Sequence, residues 1–315
     1  QKKKMGNYTI TTGQNLYDIA MHIHGSIEGI VDLMINNSEL SLDDKLQAGA
    51  QLIYTDEYVI NGDIVAYNTS HMTIPASGEQ HVYYKSSDYP QILELILDNK
   101  KTSAGIVFSG TGKIEIDWGD NTSIEVLILE NVQKGIFHSF DSNISDKRRI
   151  RIYSEDVHFR KLDISAMQAL SVYCNRPVSV EKFILTQAAM NISWLSLIEN
   201  TYEMDITGLT TSDLLPLLRH KSLMNLDLRK ISIKQQKLDE YLIALVRHYE
   251  GRRNCNIILT MQPSGSYEEP GKDENGRYII TSGMEAVWII THEEAWNSAG
   301  FWKFQIKDQI YTTEP

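Results

Sequence analysis

The chain has 315 residues, enough for two or three domains that each bury a core of their own. Its formal net charge of −11 argues against a general affinity for nucleic acid or for anionic membranes. No apolar run reaches the roughly 18 residues that a membrane-spanning helix needs. The first residues contain no apolar signal region and no cysteine for lipidation. Either the chain is trimmed or the protein never used the secretory route, and Met5 is then a candidate natural start.

Residues 8–54 predict a strand, two helices and a second strand. Tyr8 to Ile10 alternates as a strand does, and Gly13 turns the chain. Apolar residues then recur at helical spacing, at Leu16, Ile19, Ala20 and Ile23. A second helical face follows the break at residues 24–26, and it contains Ile27, Ile30, Val31, Met34 and Ile35. Leu46, Gly49, Leu52 and Ile53 predict a closing turn and strand.

This segment resembles the LysM family of carbohydrate-binding modules. The resemblance is carried by Tyr8, Ile10, Gly13, Leu16, Ile19, Ala20, Asn36, Leu46, Gly49 and Leu52. Gln14 and Asn15 stand where the family has Asp and Thr, and Ala48 stands where it has Pro. We therefore assign residues 1–56 to a LysM-like domain.

The resemblance implies binding of glycans that contain N-acetylglucosamine, such as peptidoglycan. In the family, the sugar lies in a shallow groove between the loop after the first strand and the loop before the last one. By position, the implied glycan-binding residues are Gly13, Gln14, Asn15, Leu16, Leu46, Gln47 and Ala48. The alternative is that the module packs only against other protein subunits.

Residues 57–80 read as a linker that packs partly on its neighbours. A short helix is expected at residues 63–67, begun by Asn61 or Gly62. The segment that follows, residues 73–78, is rich in residues that resist regular structure.

Residues 81–153 predict a β-rich domain that opens at residues 81–83. Strands are expected at residues 105–108, 113–118, 124–129, 135–140 and 149–153, whereas residues 92–97 fit a helix or a buried strand. The turn formed by Asp117, Trp118, Gly119, Asp120, Asn121 and Thr122, with His138 and Phe140 further on, resembles the PKD family. That family forms antiparallel β-sandwiches of the PKD/Ig-like kind, which serve as spacers or interaction modules. Asp117 and Asp120 also suggest calcium, but aspartates that satisfy turn amides are the favoured interpretation.

Residues 154–277 contain a periodic pattern of short apolar strand cores. The cores begin at Leu162, Phe183, Met204, Leu226 and Ile257, and further cores lie at residues 170–172 and 195–197. A period of 20 to 29 residues with Leu-x-Leu strands is typical of leucine-rich repeats, so a solenoid is expected. Helices are expected at residues 212–219 and 238–248, the second with an apolar stripe that we assign to the core. Residues 278–315, with a helix at 284–298 and a strand at 301–306, are expected to cap the solenoid.

No catalytic or metal-binding constellation is evident. Nucleophile elbows, phosphate loops, zinc helices and paired-cysteine motifs are missing from the sequence. His22 and His24 are two residues apart, a spacing that does not share a helix face, and residues 292–294 lack a second histidine. Cys174 and Cys255 sit among apolar residues and read as buried structural thiols. We expect a protein that is not an enzyme and that uses no cofactor.

Two functional hypotheses follow. The first is an adaptor of three modules in a tail or baseplate, because the LysM-like start and the helix at residues 63–67 resemble virion proteins of tailed phages and prophages. Its partners would be other tail proteins or peptidoglycan, and its location the virion. The second is a glycan-binding protein of the periplasm or cell surface, whose secretion signal has been removed.

Overall fold

The computed structural model describes residues 4–11, 13–42, 44–71, 73, 82, 84–140 and 147–313. The protein is of the mixed α+β class, with one large mixed sheet and few helices. Its chain divides into two compact units. The N-terminal unit holds the described residues up to 82, and the C-terminal unit holds those from 84 onward. Within the described ranges, every helix is too short or too polar to cross a membrane.

The N-terminal unit follows the expected order of strand, helix, helix and strand. Its elements are β1 (Met5–Thr9), α1 (Leu16–Ile23), a 3₁₀ turn (Ile27–Gly29) that runs into α2 (Ile30–Asn36), and β2 (Gln51–Thr55). β1 and β2 pair antiparallel, with Met5 opposite Thr55. Their core consists of Ile10, Leu16, Ile19, Ala20, Ile30, Leu33 and Leu52.

The helix predicted at residues 63–67 is longer than expected. It is α3 (Gly62–His71), and the side-chain oxygen of Asn61 accepts from the backbone N–H groups of Asp63 and Ile64. Asn68 Nδ2 donates to the Met21 carbonyl at 3.2 Å, so α3 contacts α1. Most of residues 73–83 lie outside the described residues. The sequence assigns this segment to the end of the linker and to the start of the β-rich domain.

The C-terminal unit begins with five strands that pair antiparallel. They are β3 (Gln91–Leu97), β4 (Ser103–Asp117), β5 (Glu125–Glu130), β6 (Lys134–Ser139) and β7 (Arg148–Tyr153). Residues 92–97, left open between helix and strand, lie in β3. The two strands expected at 105–108 and 113–118 form a single strand, β4, with a register shift between Ser109 and Gly110. Gly110 has a φ of 152°, and a Cβ there would lie 2.0 Å from the His158 carbonyl oxygen, so only glycine lets the two strands approach.

The next strands form a parallel series at the predicted strand cores. They are β8 (His158–Asp163), β9 (Ser171–Cys174), β10 (Val178–Ile184), β11 (Ile198–Glu199), β12 (Glu203–Asp205), β13 (Asn225–Leu228) and β14 (Asn256–Leu259). Except for β9, which pairs antiparallel with β3, these strands pair parallel. One buried column links the repeats and consists of Leu162, Phe183, Met204, Leu226 and Ile257.

Two expected elements of this region differ in the structure. Residues 195–197 lie in a 3₁₀ helix (Ser193–Leu197), because the Asn191 side chain accepts from the Ser193 backbone N–H and starts a turn there. The helix expected at residues 212–219 is a shorter 3₁₀ helix (Leu215–Arg219). The second expected helix is α4 (Gln235–Arg247), and its stripe of Leu238, Tyr241, Leu242 and Leu245 is buried.

The last elements are α5 (Gly283–His292), α6 (Glu294–Asn297), β15 (Lys303–Ile306) and β16 (Gln309–Tyr311). The single helix expected at 284–298 is broken at Glu293, which has extended backbone angles. β15 continues the parallel series beside β14, and β16 folds back antiparallel on β15.

The expected boundary at residues 153 and 154, between a β-sandwich and a solenoid, falls inside one continuous structure. β4 pairs with β8 across this position, and β3 pairs with β9. All strands from β3 to β16 belong to one 14-stranded sheet, and one apolar cluster runs beneath it. The two regions therefore share a core instead of standing as separate modules.

Candidate functional site

The loops implied as a glycan groove lie side by side in the N-terminal unit. Ile10, just after β1, donates its backbone N–H to the Ala50 carbonyl at 2.9 Å, and its own carbonyl accepts from Gly49 at 2.8 Å. These bonds tie the loop after β1 to the loop before β2. Gly13, Gln47 and Ala48 are exposed on these loops.

Gln14 does not face outward as the implied groove requires. Its side chain is buried, Oε1 accepts from the Thr11 backbone N–H at 2.8 Å, and Nε2 donates to the Tyr8 hydroxyl at 2.6 Å. The side-chain amide thus holds the loop in place from within. The partner, a tyrosine hydroxyl on the neighbouring strand, is not visible from sequence spacing.

Three further residues of the implied groove, Asn15, Leu16 and Leu46, have structural roles. Asn15 caps α1, since its Oδ1 accepts from the Asp18 backbone N–H at 2.9 Å, and the Asp18 carboxylate accepts from the Asn15 backbone N–H at 2.9 Å. Leu16 is fully buried, and Leu46 packs against the same core. Asn15 nevertheless remains exposed, as Gly13, Gln47 and Ala48 do.

An apolar surface covers the outer side of α2. Ile27, Val31 and Ile35 follow one another at the four-residue spacing of one helix face. Val31 is 60% exposed and Ile35 is 73% exposed. Both border a cavity of about 360 Å³ together with Tyr58. We call Ile27, Val31, Ile35 and Tyr58 the α2 surface.

A buried polar network lies behind this surface. The Asp32 carboxylate accepts from the Thr55 backbone N–H at 2.8 Å and from Asn36 Nδ2 at 3.0 Å. His24 is fully buried, its Nδ1 meets the Tyr58 carbonyl, and its Nε2 faces Asp32 Oδ2 at 3.4 Å. Burial acts to raise the pKa of Asp32, but the bonds from Thr55, the charge of His24 and the bond from Asn36 together hold this pKa below its ordinary value. The network fixes Tyr58 and the end of β2 beside α2.

The turn that suggested the PKD resemblance is joined to the later histidine. His138 Nε2 lies 2.5 Å from Asp120 Oδ2, and the His138 ring stacks on Trp118 with 4.6 Å between the ring centroids. Asp120 also accepts from the Thr122 backbone and hydroxyl, and Asp117 accepts from the Gly119 and Lys85 backbone N–H groups. Both aspartates thus satisfy turn amides, which was the interpretation favoured over calcium. Within the described part of the chain, no three His, Cys, Asp or Glu side chains are grouped to hold a metal ion.

Both cysteines are protonated thiols near neutral pH. Burial raises the pKa of Cys255 to about 12 and that of Cys174 to about 11. Neither cysteine has the low pKa that a nucleophilic thiolate needs.

The sequence does not predict one hydrogen-bonded chain of polar side chains on β8 and β10. His158 Nδ1 contacts Ser179 Oγ at 2.8 Å, and its Nε2 contacts Glu181 Oε1 at 2.8 Å. Asn200 Nδ2 donates to the same Ser179 oxygen at 2.9 Å. The serine, histidine and glutamate lie on two neighbouring parallel strands, so no local sequence motif predicts that they meet. The side chains of His158 and Glu181 are 39% and 36% exposed, and water therefore competes for these bonds.

Comparison with known proteins adds no relative. No protein-family model, no curated protein and no solved structure matches this chain.

Proposed function

We propose that the chain is a non-enzymatic adaptor of a phage or prophage tail or baseplate, and that its N-terminal unit docks onto a neighbouring tail subunit. The single observation that carries the proposal is the α2 surface. Three large apolar side chains at one helical spacing are exposed there, and none of them belongs to the buried core of the unit. Exposed apolar patches of this kind mark interaction sites on soluble proteins.

The shape beside the helix supports the same proposal. The cavity that Val31, Ile35 and Tyr58 border gives a partner side chain a place to insert. Glu57 is exposed, lines the same cavity and supplies an acceptor at its edge. The buried bonds of Asp32 to Thr55 hold this arrangement before a partner arrives, so little order has to be gained on binding.

The proposal that the partner is a tail or baseplate subunit rests on the resemblance of the N-terminal unit to LysM-like domains. LysM-like domains in tail hubs and baseplates often grip neighbouring subunits and not sugar. The internal use of the Gln14 side chain fits that role, since the altered turn stabilises the loop instead of presenting an amide to a ligand.

The test compares two exposed isoleucines. Ile35→Glu places a charge on the α2 surface, whereas Ile128→Glu places the same charge on β5, where Ile128 is 64% exposed. Tail particles from bacteria that carry each gene are purified on a density gradient, and the chain is quantified in the particle fraction. We expect the wild type and Ile128→Glu to sediment with the particles, and Ile35→Glu to be reduced at least about tenfold, the effect of about 1.4 kcal/mol.

Two results would contradict parts of the proposal. Wild-type chain recovered with the cell envelope and not with particles would reject the tail assignment. Equal incorporation of Ile35→Glu would reject the α2 surface as the docking site.

The second candidate is a glycan-binding protein of the periplasm or cell surface. It is favoured by the two loops that Ile10 ties together, with exposed Gly13, Gln47 and Ala48. Sedimentation with purified peptidoglycan tests it, using Ala48→Glu to block the loop and Ile128→Glu as the control. Retention of the wild type and loss of Ala48→Glu would favour this function, and equal retention of both variants would remove these loops as the sugar site.

A further inference from the structure

The edge of β2 that faces α2 is already occupied by side chains. The Ile53 backbone N–H donates to the Asn37 side-chain oxygen at 2.9 Å, and the Ile53 carbonyl accepts from the Asn37 amide at 2.8 Å. Two residues on, the Thr55 backbone N–H donates to the Asp32 carboxylate at 2.8 Å. An extended peptide would need these same backbone groups to pair with β2. A partner at the α2 surface therefore binds through side chains and not as an added strand.

The exposed apolar residues of α2 form a row that suits a second helix. Ile27, Val31 and Ile35 are spaced by four residues, and the row covers about 12 Å at the rise of an α-helix. Rows at this spacing pack into the groove between the corresponding rows of another helix. The cavity of about 360 Å³ beside the row, which Tyr58 borders, has room for one anchoring side chain of that helix.

The charged side chains around this row are acidic. Glu57 is exposed and lines the cavity. Glu28 is also exposed, four residues before Asp32, which lines the cavity from α2, and residues at this spacing lie on one side of a helix. The nearby Lys4 is paired with Asp56 at 2.7 Å. Acidic side chains at the rim of an apolar surface favour a partner with basic residues at the matching positions.

The N-terminal unit has the same sign of charge as this rim. Residues 4–71 contain nine aspartates and glutamates, two lysines and no arginine. Opposite charge on a partner speeds its encounter with such a unit, and like charge disfavours it. A second copy of this chain would bring its own acidic rim against this one, so the charge argues against self-association through the α2 surface.

We propose that the α2 surface binds an amphipathic helix of the neighbouring subunit, whose apolar row is flanked by lysines or arginines. One large apolar side chain of that helix enters the cavity beside Tyr58, and its basic residues pair with Glu28 and Glu57. This inference rests on the proposed docking role of the α2 surface, and it adds the chemistry of the partner.

The test uses the full chain and the fluorescence anisotropy of two labelled synthetic peptides. Both peptides carry leucines on one helix face, flanked by lysines in the first peptide and by glutamates in the second. We expect the lysine peptide to bind, and the glutamate peptide to bind at least about tenfold more weakly, because like charges oppose each other at the rim. Raising the salt from about 0.05 M to about 0.5 M should weaken the binding of the lysine peptide, since ions screen exposed charges.

Glu28→Lys combined with Glu57→Lys reverses the two rim charges. We expect it to bind the lysine peptide about tenfold more weakly, the effect of about 1.4 kcal/mol from two exposed charge pairs, and to gain affinity for the glutamate peptide. Glu250→Lys combined with Glu274→Lys makes the same change in net charge at two exposed acids of the C-terminal unit. This matched control should bind as the wild type does. Ile35→Glu should lose the lysine peptide, which would place that peptide on the α2 surface. Circular dichroism checks that each variant is folded.

Four results would overturn the inference. One is equal binding of the two peptides, or binding of neither. Another is the same loss of binding in the control pair as in the rim pair. The third is equally tight binding of a peptide of the same composition whose leucines alternate every second residue, which would indicate an extended partner. The last is a dimer of the full chain in analytical ultracentrifugation that Ile35→Glu dissociates, which would identify a second copy as the occupant.

Incorporation into tail particles separates this inference from the proposed function. If the rim pair enters particles as the wild type does while Ile35→Glu does not, docking at the α2 surface stands and the basic partner is rejected. If the wild type binds the lysine peptide but is not recovered with particles, the tail assignment is rejected and the binding chemistry of the α2 surface stands.

Discussion

The two units of this protein are stabilised in different ways. Among its described residues, the N-terminal unit buries seven apolar side chains in its core, and it also buries polar groups that include Gln14, Asp32 and Asn37. The C-terminal unit repeats one apolar column through successive parallel strands, and its core continues without interruption beneath the sheet. A small unit buries too little apolar surface for packing alone to determine its fold. Individual hydrogen bonds therefore contribute a larger share of its stability. From this difference we expect that removing a buried carboxylate lowers the stability of the N-terminal unit most. Removing buried apolar volume should lower the stability of the C-terminal unit most.

The largest effect is expected from the apolar column. Phe183→Ala removes a fully buried ring between Leu162 and Met204, and it should lower the free energy of unfolding by about 3 to 5 kcal/mol. Hydrogen exchange resolved by peptide should place the loss in the C-terminal unit, residues 84–140 and 147–313. Tyr173→Ala, at an exposed ring of β9, is the control and should change stability by less than about 0.5 kcal/mol. A loss below about 1 kcal/mol for Phe183→Ala would mean that the column does not carry the core.

The next effect concerns the carboxylate of the N-terminal unit. Asp32→Ala leaves the Thr55 backbone N–H and Asn36 without their charged acceptor and should cost about 2 kcal/mol. Peptides from residues 4–71 should exchange faster, and those of the C-terminal unit should not change. Asp63→Ala, at an exposed aspartate of α3, serves as the matched control. Faster exchange in both units would contradict the separation that we infer.

Acid should produce a smaller loss at the same residue. Because the pKa of Asp32 is lowered in the folded state, its contribution is present above the ordinary pKa of an aspartate and is lost as the pH falls through the folded value. Hydrogen exchange and urea unfolding between about pH 5 and about pH 2 should show the N-terminal unit weakening over this window. In Asp32→Asn this part of the pH dependence should disappear. An unchanged pH profile in that variant would assign the acid sensitivity to other carboxylates.

The smallest effect is expected at a repeated turn. Gln187, Gly208 and Lys230 lie four residues after the starts of successive strand cores, and all three have a positive φ. Lys230→Gly should raise the free energy of unfolding by up to about 0.5 kcal/mol, because the left-handed conformation costs lysine more than glycine. Lys161→Gly, within strand β8, should instead destabilise by about 0.5 to 1 kcal/mol. If both changes lower the free energy of unfolding, the Lys230 side chain contributes more to stability than its left-handed backbone conformation costs.

Local patterns in the sequence predict the short-range structure well. The four-element order of the N-terminal unit and the strand cores at Leu162, Phe183, Met204, Leu226 and Ile257 follow from apolar periodicity, which depends only on neighbours along the chain. The misassigned segment at residues 195–197 has the same Leu-x-Leu pattern, but the Asn191 side chain starts a turn that competes with a strand.

Long-range pairing could not be predicted in this way. Nothing local indicates that β4 pairs with β8, so the sequence suggested a boundary where the sheet is continuous. The same limit applies to sites. Gln14 donates to the Tyr8 hydroxyl, and His158 contacts Ser179 and Glu181, through pairings that no spacing rule connects. The Gln14 side chain, which the resemblance assigns to the sugar groove, is used inside the fold.

The hairpin of β15 and β16 has a consequence for self-association. A parallel series of strands ends in an open edge that can template the same strand of another molecule and so grow into a filament. Here the series is closed by a strand of three residues that runs in the opposite direction, after a tight reversal at Lys307. A second copy of the chain would meet an edge strand that runs opposite to the parallel series and has only three residues for pairing. The short antiparallel strand thus protects this edge of the sheet against pairing with another copy.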